Sequence, residues 1–183
     1  MRIIAGEKKG LRLAGIKSRR IRPTTDRTKE LIFDVVNRYL KKSSVLDIFA
    51  GSGSLGIEAL SRGAAKAIFI EKNAHARNVL QSNLQRSGFQ HRAEILALSA
   101  ARALRQLASS SLKFDLIFAD PPYDKKLAQD TVLLNDELEL LAKEGWLIIE
   151  HHFQTVLSEQ TKHFQLKTRK RQGDTTVSFY QNA

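Results

Sequence analysis

The stretch Asp47-Ile48-Phe49-Ala50-Gly51-Ser52-Gly53-Ser54-Leu55-Gly56 decides the fold of this chain. It contains G-x-G-x-x-G between an apolar run that predicts a strand and a segment that predicts a helix. Glu71 lies 20 residues after Gly51, where the next predicted strand ends. Glycines let a ligand approach the backbone, and an acid at this position can bind both ribose hydroxyls. The pattern therefore indicates a nucleotide-type ligand, although a tight strand-to-helix turn alone would also use these glycines.

Predicted strands and helices alternate after residue 44, which is typical of a doubly wound α/β fold. The near-continuous apolar strands predict a mostly parallel sheet that is covered on both faces. Gly173-Asp174 separates two alternating segments and predicts a C-terminal antiparallel hairpin. The predicted strands are 45–50, 67–70, 93–98, 114–119, 145–150, 164–171 and 175–181, and the predicted helices are 55–62, 75–87, 101–108, 127–142 and 154–160.

Residues 1–44 have a different pattern and are interpreted as an N-terminal extension of a domain that spans 45–183. Segments 2–5 and 11–14 predict a small hairpin, and Thr25 or Asp26 can cap a helix that runs to about residue 39. The side chains expected to form its buried stripe are Leu31, Ile32, Val35, Val36 and Tyr39.

Positive charge is concentrated in this extension. The chain has a net charge of +11, and residues 1–44 hold 13 Lys and Arg against four Asp and Glu, a local excess of +9 that leaves +2 for the rest. A second basic group comprises Lys167, Arg169, Lys170 and Arg171. This asymmetry favours a phosphate-binding surface for nucleic acid, and the alternative is a solvated face that only aids solubility.

Composition excludes several other classes of protein. The chain has 183 residues and no cysteine, so disulfides, thiolate metal sites and cysteine nucleophiles are absent. No stretch approaches the roughly 18 apolar residues of a membrane helix, and Met1–Gly6 lacks the apolar core of a signal peptide. We expect a cytoplasmic monomer without a membrane partner.

The tetrapeptide Asp120-Pro121-Pro122-Tyr123 follows the predicted strand 114–119. Two prolines stiffen this segment and remove two N–H donors, which leaves a carboxylate and backbone carbonyls beside an aromatic ring. Acceptors at both N–H bonds of a nucleobase amine can aim its lone pair at an electrophile and stabilise the positive charge that grows on nitrogen. Tyr123 can stack on an extruded base. The alternative interpretation is a rigid turn.

Two features favour S-adenosylmethionine over a dinucleotide as the ligand of the loop. Asp47 precedes Gly51 by four residues, and a carboxylate there suits a cationic methionine group and would repel a phosphate. The tetrapeptide is expected across the crevice from the loop, at the topological switch point where ligands bind.

These motifs together resemble the class I S-adenosylmethionine-dependent amino methyltransferases. Met1–Gly6, Arg22-Pro23-Thr24 with Asp26-Arg27, and Gly173-Asp174-Thr175 resemble the RsmD family more specifically. The resemblance implies N2-methylation of one guanine in bacterial 16S ribosomal RNA (family target guanine 966), either in free RNA or in a small-subunit particle. It also implies a Rossmann-like seven-stranded sheet of order 3-2-1-4-5-7-6, with the seventh strand antiparallel.

The resemblance also implies roles for individual residues. Asp120, Pro121, Pro122 and Tyr123 would hold the guanine amine and its ring. The residues that would bind the cofactor are Asp47, Phe49, Ala50, Gly51, Ser52, Gly53, Glu71, Lys72 and Ser99. Those that would face RNA are Arg19, Arg20, Arg22, Thr24 and Arg27. The segment 97–100 departs from the family, because related enzymes often carry an acid or amide near the adenine where this chain has Ser99.

Three other functions remain open at this stage. Adenine-N6 methylation of DNA or RNA fits the tetrapeptide equally well, because adenine also presents an exocyclic amine. A nicotinamide oxidoreductase would use the glycine loop and Glu71, and a non-catalytic RNA-binding module would explain only the charge. No metal is expected: His151 and His152 are adjacent on a predicted strand and would point to opposite faces.

Overall fold

The computed structural model of the protein describes residues 1–16, 25–122 and 125–182. Within these residues five α-helices alternate with seven strands. The helices are α1 (Asp26–Val36), α2 (Ser54–Ser61), α3 (Ala74–Ser87), α4 (Ala100–Ser109) and α5 (Lys125–Glu137). The strands are β1 (Ser44–Ile48), β2 (Lys66–Ile70), β3 (Ala93–Leu96), β4 (Phe114–Ala119), β5 (Leu141–His152), β6 (Phe164–Gln172) and β7 (Thr175–Asn182).

All seven strands of the described chain form one sheet of order β3-β2-β1-β4-β5-β7-β6. Strands β1 to β5 are parallel, and β7 runs antiparallel between β5 and β6. This confirms the predicted doubly wound, mostly parallel sheet with an antiparallel C-terminal hairpin. The strand order reverses between β1 and β4, so the crevice expected for a ligand lies at the carboxyl ends of these two strands.

Two apolar cores cover the two faces of the sheet, because successive strand residues point to opposite sides. Val45, Phe69 and Phe118 pack with α1, α2 and α3 on one face. Leu46 and Ile117 pack with α4 and α5 on the other face. The central strands are therefore buried on both sides, as their near-continuous apolar sequences predict.

A buried carboxylate fastens the N-terminal hairpin to the sheet domain. Backbone hydrogen bonds pair the two arms of this hairpin around the bridge between Arg2 and Arg12. The fully buried Glu58 of α2 accepts hydrogen bonds from the N–H groups of Ile4 (2.8 Å) and Ala5 (3.0 Å). The division of the chain into an extension and a domain stays a prediction, although the hairpin shares one core with α2 and α3.

Thr25 is the residue that caps α1, and its side-chain oxygen accepts a hydrogen bond from the Thr28 N–H at 3.1 Å. The helix ends at Val36, and a short 3₁₀ turn continues to Tyr39. Ile32 and Val36 are buried as expected, whereas Leu31, Val35 and Tyr39 are only half-buried. Phe33 and Lys29 lie in the buried face as well, although the pattern did not predict them.

Two predicted helices were wrong in whole or in part. Helix α5 ends at Glu137 rather than at residue 142, because Leu140 and Leu141 instead pair with Phe114 of β4. Residues 154–160 are irregular rather than helical. Their polar groups bond to other elements: the Ser158 N–H donates to Gln129 Oε1, and Ser158 O accepts from Tyr180 Oη.

Candidate functional site

The carboxyl ends of β1, β2 and β4 lie side by side. Ile48, the last residue of β1, pairs with Ile70 on one side and with Ala119 on the other. The glycine loop follows Ile48, Glu71 follows Ile70, and Asp120 follows Ala119. The fold therefore brings together three motifs that are far apart in the sequence.

The backbone of the glycine loop is shaped by residues with positive φ. Phe49 (φ 63°), Gly51 (φ 55°) and Gly53 (φ 83°) adopt the left-handed region. A Cβ at Gly53 would lie 2.3 Å from Leu80 Cδ1, and one at Gly56 would lie 2.3 Å from Phe69 Cε1. The second and third glycines are therefore required for close packing of α2 against β2 and α3, whatever ligand the loop holds.

Glu71 reaches from the end of β2 to the glycine loop. Its Oε2 accepts a hydrogen bond from the Gly51 N–H at 2.9 Å, and its Oε1 accepts one from the Asn73 N–H at 2.7 Å. The side chain is half-buried. Each carboxylate oxygen can accept more than one hydrogen bond, so Glu71 is oriented toward the crevice and retains capacity for hydroxyl donors.

Asp47 lies beneath the loop and is almost completely buried, with 2% of its surface exposed. Its Oδ2 accepts a hydrogen bond from the Gly56 N–H at 2.9 Å. Burial raises the pKa of the Asp47 carboxyl to about 7; the Gly56 hydrogen bond opposes this shift, and the Asp120 and Glu71 carboxylates add to it. The site therefore contains a cluster of acids whose mutual repulsion a bound cation would relieve.

Asp120 is half-buried at the end of β4, Pro121 is buried and Pro122 is exposed. The segment from Asp120 to Pro122 thus begins at the crevice and reaches the surface at Pro122. Tyr123, the fourth residue predicted to contact the substrate, lies outside the described residues. Asp120 faces the same acidic cluster as Asp47 and Glu71, since its charge contributes to the raised pKa of Asp47.

Two functional candidates were missed by the sequence analysis. Ser54 is 8% exposed, and its Oγ has no hydrogen-bond partner among the described residues. Asn83 of α3 donates to the carbonyl oxygens of Ser52 (2.9 Å) and Ala14 (3.0 Å) and accepts from the Ala14 N–H (2.8 Å). Ser54 could have been suspected because it follows G-x-G, whereas Asn83 gave no local signal.

The other residues predicted to bind the cofactor differ in their exposure to solvent. Ala50 is buried, Ser52 is half-buried, and Lys72 and Ser99 are exposed. Ser99 precedes α4, and its side chain makes no capping hydrogen bond, so its hydroxyl is not committed to the helix end. Of the residues predicted to face RNA, Arg27 is exposed on α1, and Arg19, Arg20, Arg22 and Thr24 lie outside the described residues.

The two adjacent histidines have different surroundings. His151 is buried, with its Nε2 2.8 Å from Ser178 Oγ and its Nδ1 3.0 Å from the His152 carbonyl oxygen. Burial lowers the pKa of His151. His152 is half-buried, and its ring packs against Phe153. His151 therefore serves the packing of β5 on β7, whereas His152 lies at the end of β5.

The site combines a glycine loop, acceptors at the ends of three strands and an acid where a ribose-binding residue is expected. No cation of the described loop faces the place where a pyrophosphate would rest, and the buried acid there disfavours an anion. Together with the observed strand order, this site defines a class I, Rossmann-like methyltransferase fold. None of the helices in the described ranges is long and apolar enough to cross a membrane.

Comparison with known proteins identifies the family. A family model described as Conserved hypothetical protein 95 matches residues 1–181. Ribosomal RNA small subunit methyltransferase D of Haemophilus influenzae is 40% identical over 148 residues, which cover 80% of this chain and 73% of that protein. The protein of the same name in Escherichia coli K12 is 32% identical over 181 residues, or 99% of this chain and 89% of that protein.

A solved structure supports the same assignment. Escherichia coli yhhF superposes with a TM-score of 0.88 at 31% identity, and the match covers 100% of this chain and 97% of that chain. The chain therefore belongs to the RsmD family of methyltransferases, as its motifs indicated. The predicted fold class and family are both confirmed.

Proposed function

We propose that this protein is an S-adenosylmethionine-dependent methyltransferase that modifies the N2 amine of a guanine in 16S ribosomal RNA. The observation that carries this proposal is the convergence of Asp47, Glu71 and Asp120 on one glycine loop at the topological switch point. The names of the relatives from Haemophilus influenzae and Escherichia coli support ribosomal RNA of the small subunit as the substrate class.

The residues present fit the methyl donor. S-adenosylmethionine, when bound, supplies a methyl group on a sulfonium. Glu71 would accept hydrogen bonds from ribose hydroxyls, and the Asp47 carboxylate would neutralise the cationic methionine group. The buried Ser54 hydroxyl, which has no partner among the described residues, offers a donor and an acceptor to the same ligand. Phe49 to Gly53, Lys72 and Ser99 would complete this site.

Asp120 and the Pro121 carbonyl would accept hydrogen bonds from the two N–H bonds of the guanine amine. This contact directs the nitrogen lone pair away from the ring and toward the methyl group, and it stabilises the positive charge that develops on nitrogen. The amine held in this way would form one N–CH3 bond at the expense of one S–CH3 bond of the sulfonium, whose sulfur would keep the electron pair as a thioether. The methylated amine then loses one proton to water or to Asp120. Pro122 would hold the segment rigid, and Tyr123 would stack on the base.

The basic extension would guide RNA to this crevice. Arg27 is exposed on α1, and Arg19, Arg20, Arg22 and Thr24 belong to the same segment of sequence. Electrostatic attraction of phosphates supplies affinity without reading the base, so these residues would position the RNA while the tetrapeptide selects the amine. We propose cytoplasmic action on free RNA or on an assembling small subunit by a monomer.

The direct test is transfer of labelled methyl groups to 16S RNA, both naked and in 30S particles, followed by nucleoside analysis. N2-methylguanosine is the expected product, and the better substrate identifies the stage of assembly at which the enzyme acts. N6-methyladenosine would overturn the guanine assignment while keeping the reaction class. An absence of transfer to either RNA substrate would contradict the proposed function as a whole.

Substitution of Asp120 tests the mechanism. Asp120→Ala is expected to lower turnover by at least about 100-fold, because one of the two amine acceptors is lost, while S-adenosylmethionine still binds. Asp130→Ala is the matched control, since Asp130 is an exposed acid on α5. Near-normal turnover of the Asp120 variant would remove this residue from the mechanism.

A further inference from the structure

An exposed aromatic side chain stands at the end of β5. Phe153 is 36% exposed, whereas the other aromatic side chains of the described chain are buried or half-buried. A single exposed apolar side chain needs no explanation by itself. The Phe153 ring contacts two other planar groups, and we call the three side chains the stack.

The stack consists of His152, Phe153 and Arg171. The ring centroids of His152 and Phe153 are 4.7 Å apart with an interplanar angle of 40°. Arg171 Cζ lies 4.0 Å from the Phe153 centroid. Such contacts between rings and a guanidinium are favourable and orient all three groups together.

The turn between β6 and β7 fixes this arrangement. The Phe153 N–H donates to the Asp174 carbonyl oxygen at 2.9 Å, and Arg171 Nε donates to the Gly173 carbonyl oxygen at 2.9 Å. The stack is therefore preorganised by backbone groups of the hairpin, so a ligand that stacks on it would not have to order these side chains first.

The stack lies at the carboxyl ends of the parallel strands, as the candidate active site does. Ala119 of β4 pairs with Ile149 of β5, so His152 lies two residues beyond the level of Asp120 and one strand away. With about 3.3 Å per residue and 4.8 Å between strands, the two backbones are about 8 Å apart. A nucleotide next to one held at Asp120 can reach the stack.

The surrounding charge favours a polyanion. Lys170 and Arg171 are exposed on β6, which is the edge strand of the sheet. Cations on an edge strand also discourage pairing with other sheets, and this explains their charge. It does not explain why one of them is stacked on an exposed ring beside the crevice.

We propose that His152, Phe153 and Arg171 form a stacking site for an unpaired nucleobase that neighbours the target base in the RNA substrate. Unpaired RNA bases are recognised by stacking on aromatic side chains and on arginine guanidinium planes. The inference rests on the proposed function for its choice of RNA. The site would help to keep the RNA unstacked around the target, while the tetrapeptide holds the target itself.

The test compares substituted proteins with RNA that lacks single bases. Binding of a 16S RNA fragment is measured for the wild type and for Phe153→Ala, with intact RNA and with an abasic nucleotide at each position flanking the target. Phe153→Ala is expected to weaken binding of intact RNA about tenfold. An abasic nucleotide at the stacked position is expected to weaken the wild type about tenfold and to leave the variant unchanged.

Three further variants separate stacking from charge and folding. Phe153→Trp should retain wild-type binding. Arg171→Lys should lose part of the affinity, because it keeps the charge but not the planar group. Val156→Ala is the matched control, since Val156 is 88% exposed, aliphatic and three residues away.

Equal abasic penalties in the wild type and in Phe153→Ala at every flanking position would overturn the stacking site. Binding is measured without turnover, so this result is independent of methyl transfer. Methyl transfer by the wild type is followed in parallel, and its absence would contradict the proposed function instead. S-adenosylmethionine affinity should be the same in all variants, because none of these side chains belongs to the glycine loop.

Discussion

Two buried carboxylates, Glu58 within α2 and Asp47 in β1 beside the start of that helix, have opposite electrostatic surroundings. Glu58 is fully buried, and its oxygens lie 2.8 Å from Arg62 Nε and 3.5 Å from Lys29 Nζ. Asp47 is 2% exposed, but the charges near it are the carboxylates of Asp120 and Glu71. Both carboxylates accept backbone hydrogen bonds, so the difference lies in the charges and not in the hydrogen bonds.

The difference indicates what each acid is for. Removing a charge from water is costly, and it is tolerated where a partner of opposite charge compensates. The charge of Glu58 is compensated within the protein, so Glu58 serves the structure by holding the N-terminal hairpin. Among the described residues the charges that act on Asp47 are those of other carboxylates, which accords with our proposal that a cationic ligand completes the site.

Not all of the positive charge in residues 1–44 lies on the surface. Lys29 is counted in the basic excess of residues 1–44, yet its side chain is completely buried against Glu58 and the Arg2 carbonyl oxygen. Burial lowers the pKa of Lys29, and Glu58 and Asp26 oppose this shift. Part of the local charge therefore supports folding and is not available to RNA, whereas Lys170 and Arg171 are exposed.

The largest effect is expected at Glu58. Glu58→Ala should lower the free energy of unfolding by about 4 kcal/mol, because it removes the buried carboxylate beside Lys29 and leaves two backbone N–H groups without acceptors. Chemical denaturation at pH 7 measures the change. Glu159→Ala is the control, since Glu159 pairs with Arg169 at 2.9 Å on the surface and its removal should cost less than about 1 kcal/mol. A similar decrease in the free energy of unfolding for both variants would show that Glu58 stabilises the protein no more than a surface carboxylate does.

Asp47→Asn is expected to raise the free energy of unfolding, which is the opposite of the effect expected for Glu58→Ala. The pKa of Asp47 is raised from 3.8 to about 7, so between these values the native state binds more protons than the unfolded state. The free energy of unfolding of the wild type therefore falls as pH rises from 4 to 7. The asparagine variant lacks this loss and should be more stable by about 4 kcal/mol at pH 8, with little difference at pH 4.

Denaturation curves of the two proteins at several pH values measure this difference. An amide oxygen can still accept the Gly56 hydrogen bond, so the variant should retain the loop geometry. A variant that is less stable than the wild type at pH 8 would show that another group in the protein compensates the Asp47 charge.

The affinity for the cofactor should also depend on the protonation of the Asp47 carboxyl. A cationic ligand requires ionised Asp47, and ionisation rises about tenfold between pH 6 and pH 8 for a pKa of about 7. The affinity of the wild type for S-adenosylmethionine should rise about tenfold over this range relative to Asp47→Asn. Calorimetry measures the affinity of both proteins at each pH. Because the ligand titrates in the same way in both experiments, the ratio of the two affinities reports the effect of Asp47 alone. Parallel pH profiles would exclude Asp47 as the counter-charge.

The smallest effect is expected at Ser54. Its buried Oγ has no partner among the described residues, so Ser54→Ala should leave stability unchanged within about 0.5 kcal/mol. Cofactor affinity should fall about fivefold if the hydroxyl bonds to the ligand. Ser87→Ala is a useful contrast, because Ser87 Oγ donates to the Asn83 carbonyl oxygen at 2.8 Å within α3 and faces no ligand. An unchanged affinity for Ser54→Ala would exclude Ser54 from the site.

The sequence predicted the sheet well because its strands are short, apolar and bounded by glycines or acids. It failed at residues 138–142, where good helix formers leave the helix and lead into β5 because Phe114 pairs with Leu141. Helix propensity is a weak preference, and tertiary pairing overrides it. The irregular segment 154–160 was missed for a similar reason, since Gln129 and Tyr180 supply its hydrogen bonds from distant parts of the chain.

The candidate site was predictable as far as its motifs are local. Asp47, Gly51 and Glu71 could be found by spacing, and the parallel sheet brings Asp120 to them. Asn83 could not be found, because its role depends on contacts with Ala14 and Ser52, which are 69 and 31 residues away. The buried ion pair of Lys29 and Glu58 could not be predicted either. Residues of opposite charge are common in any sequence, and only the folded structure shows which of them are buried together.

The N-terminal hairpin has a consequence for the order of events during synthesis. Ala14 cannot make its hydrogen bonds until Asn83 exists, 69 residues later, and Ile4 must wait for Glu58. At about 5–20 residues per second this delay lasts several seconds. During that time Ile3 and Leu13, which are buried in the finished protein, remain exposed on the nascent chain. The hairpin is thus synthesised well before the residues that hold it against the rest of the protein.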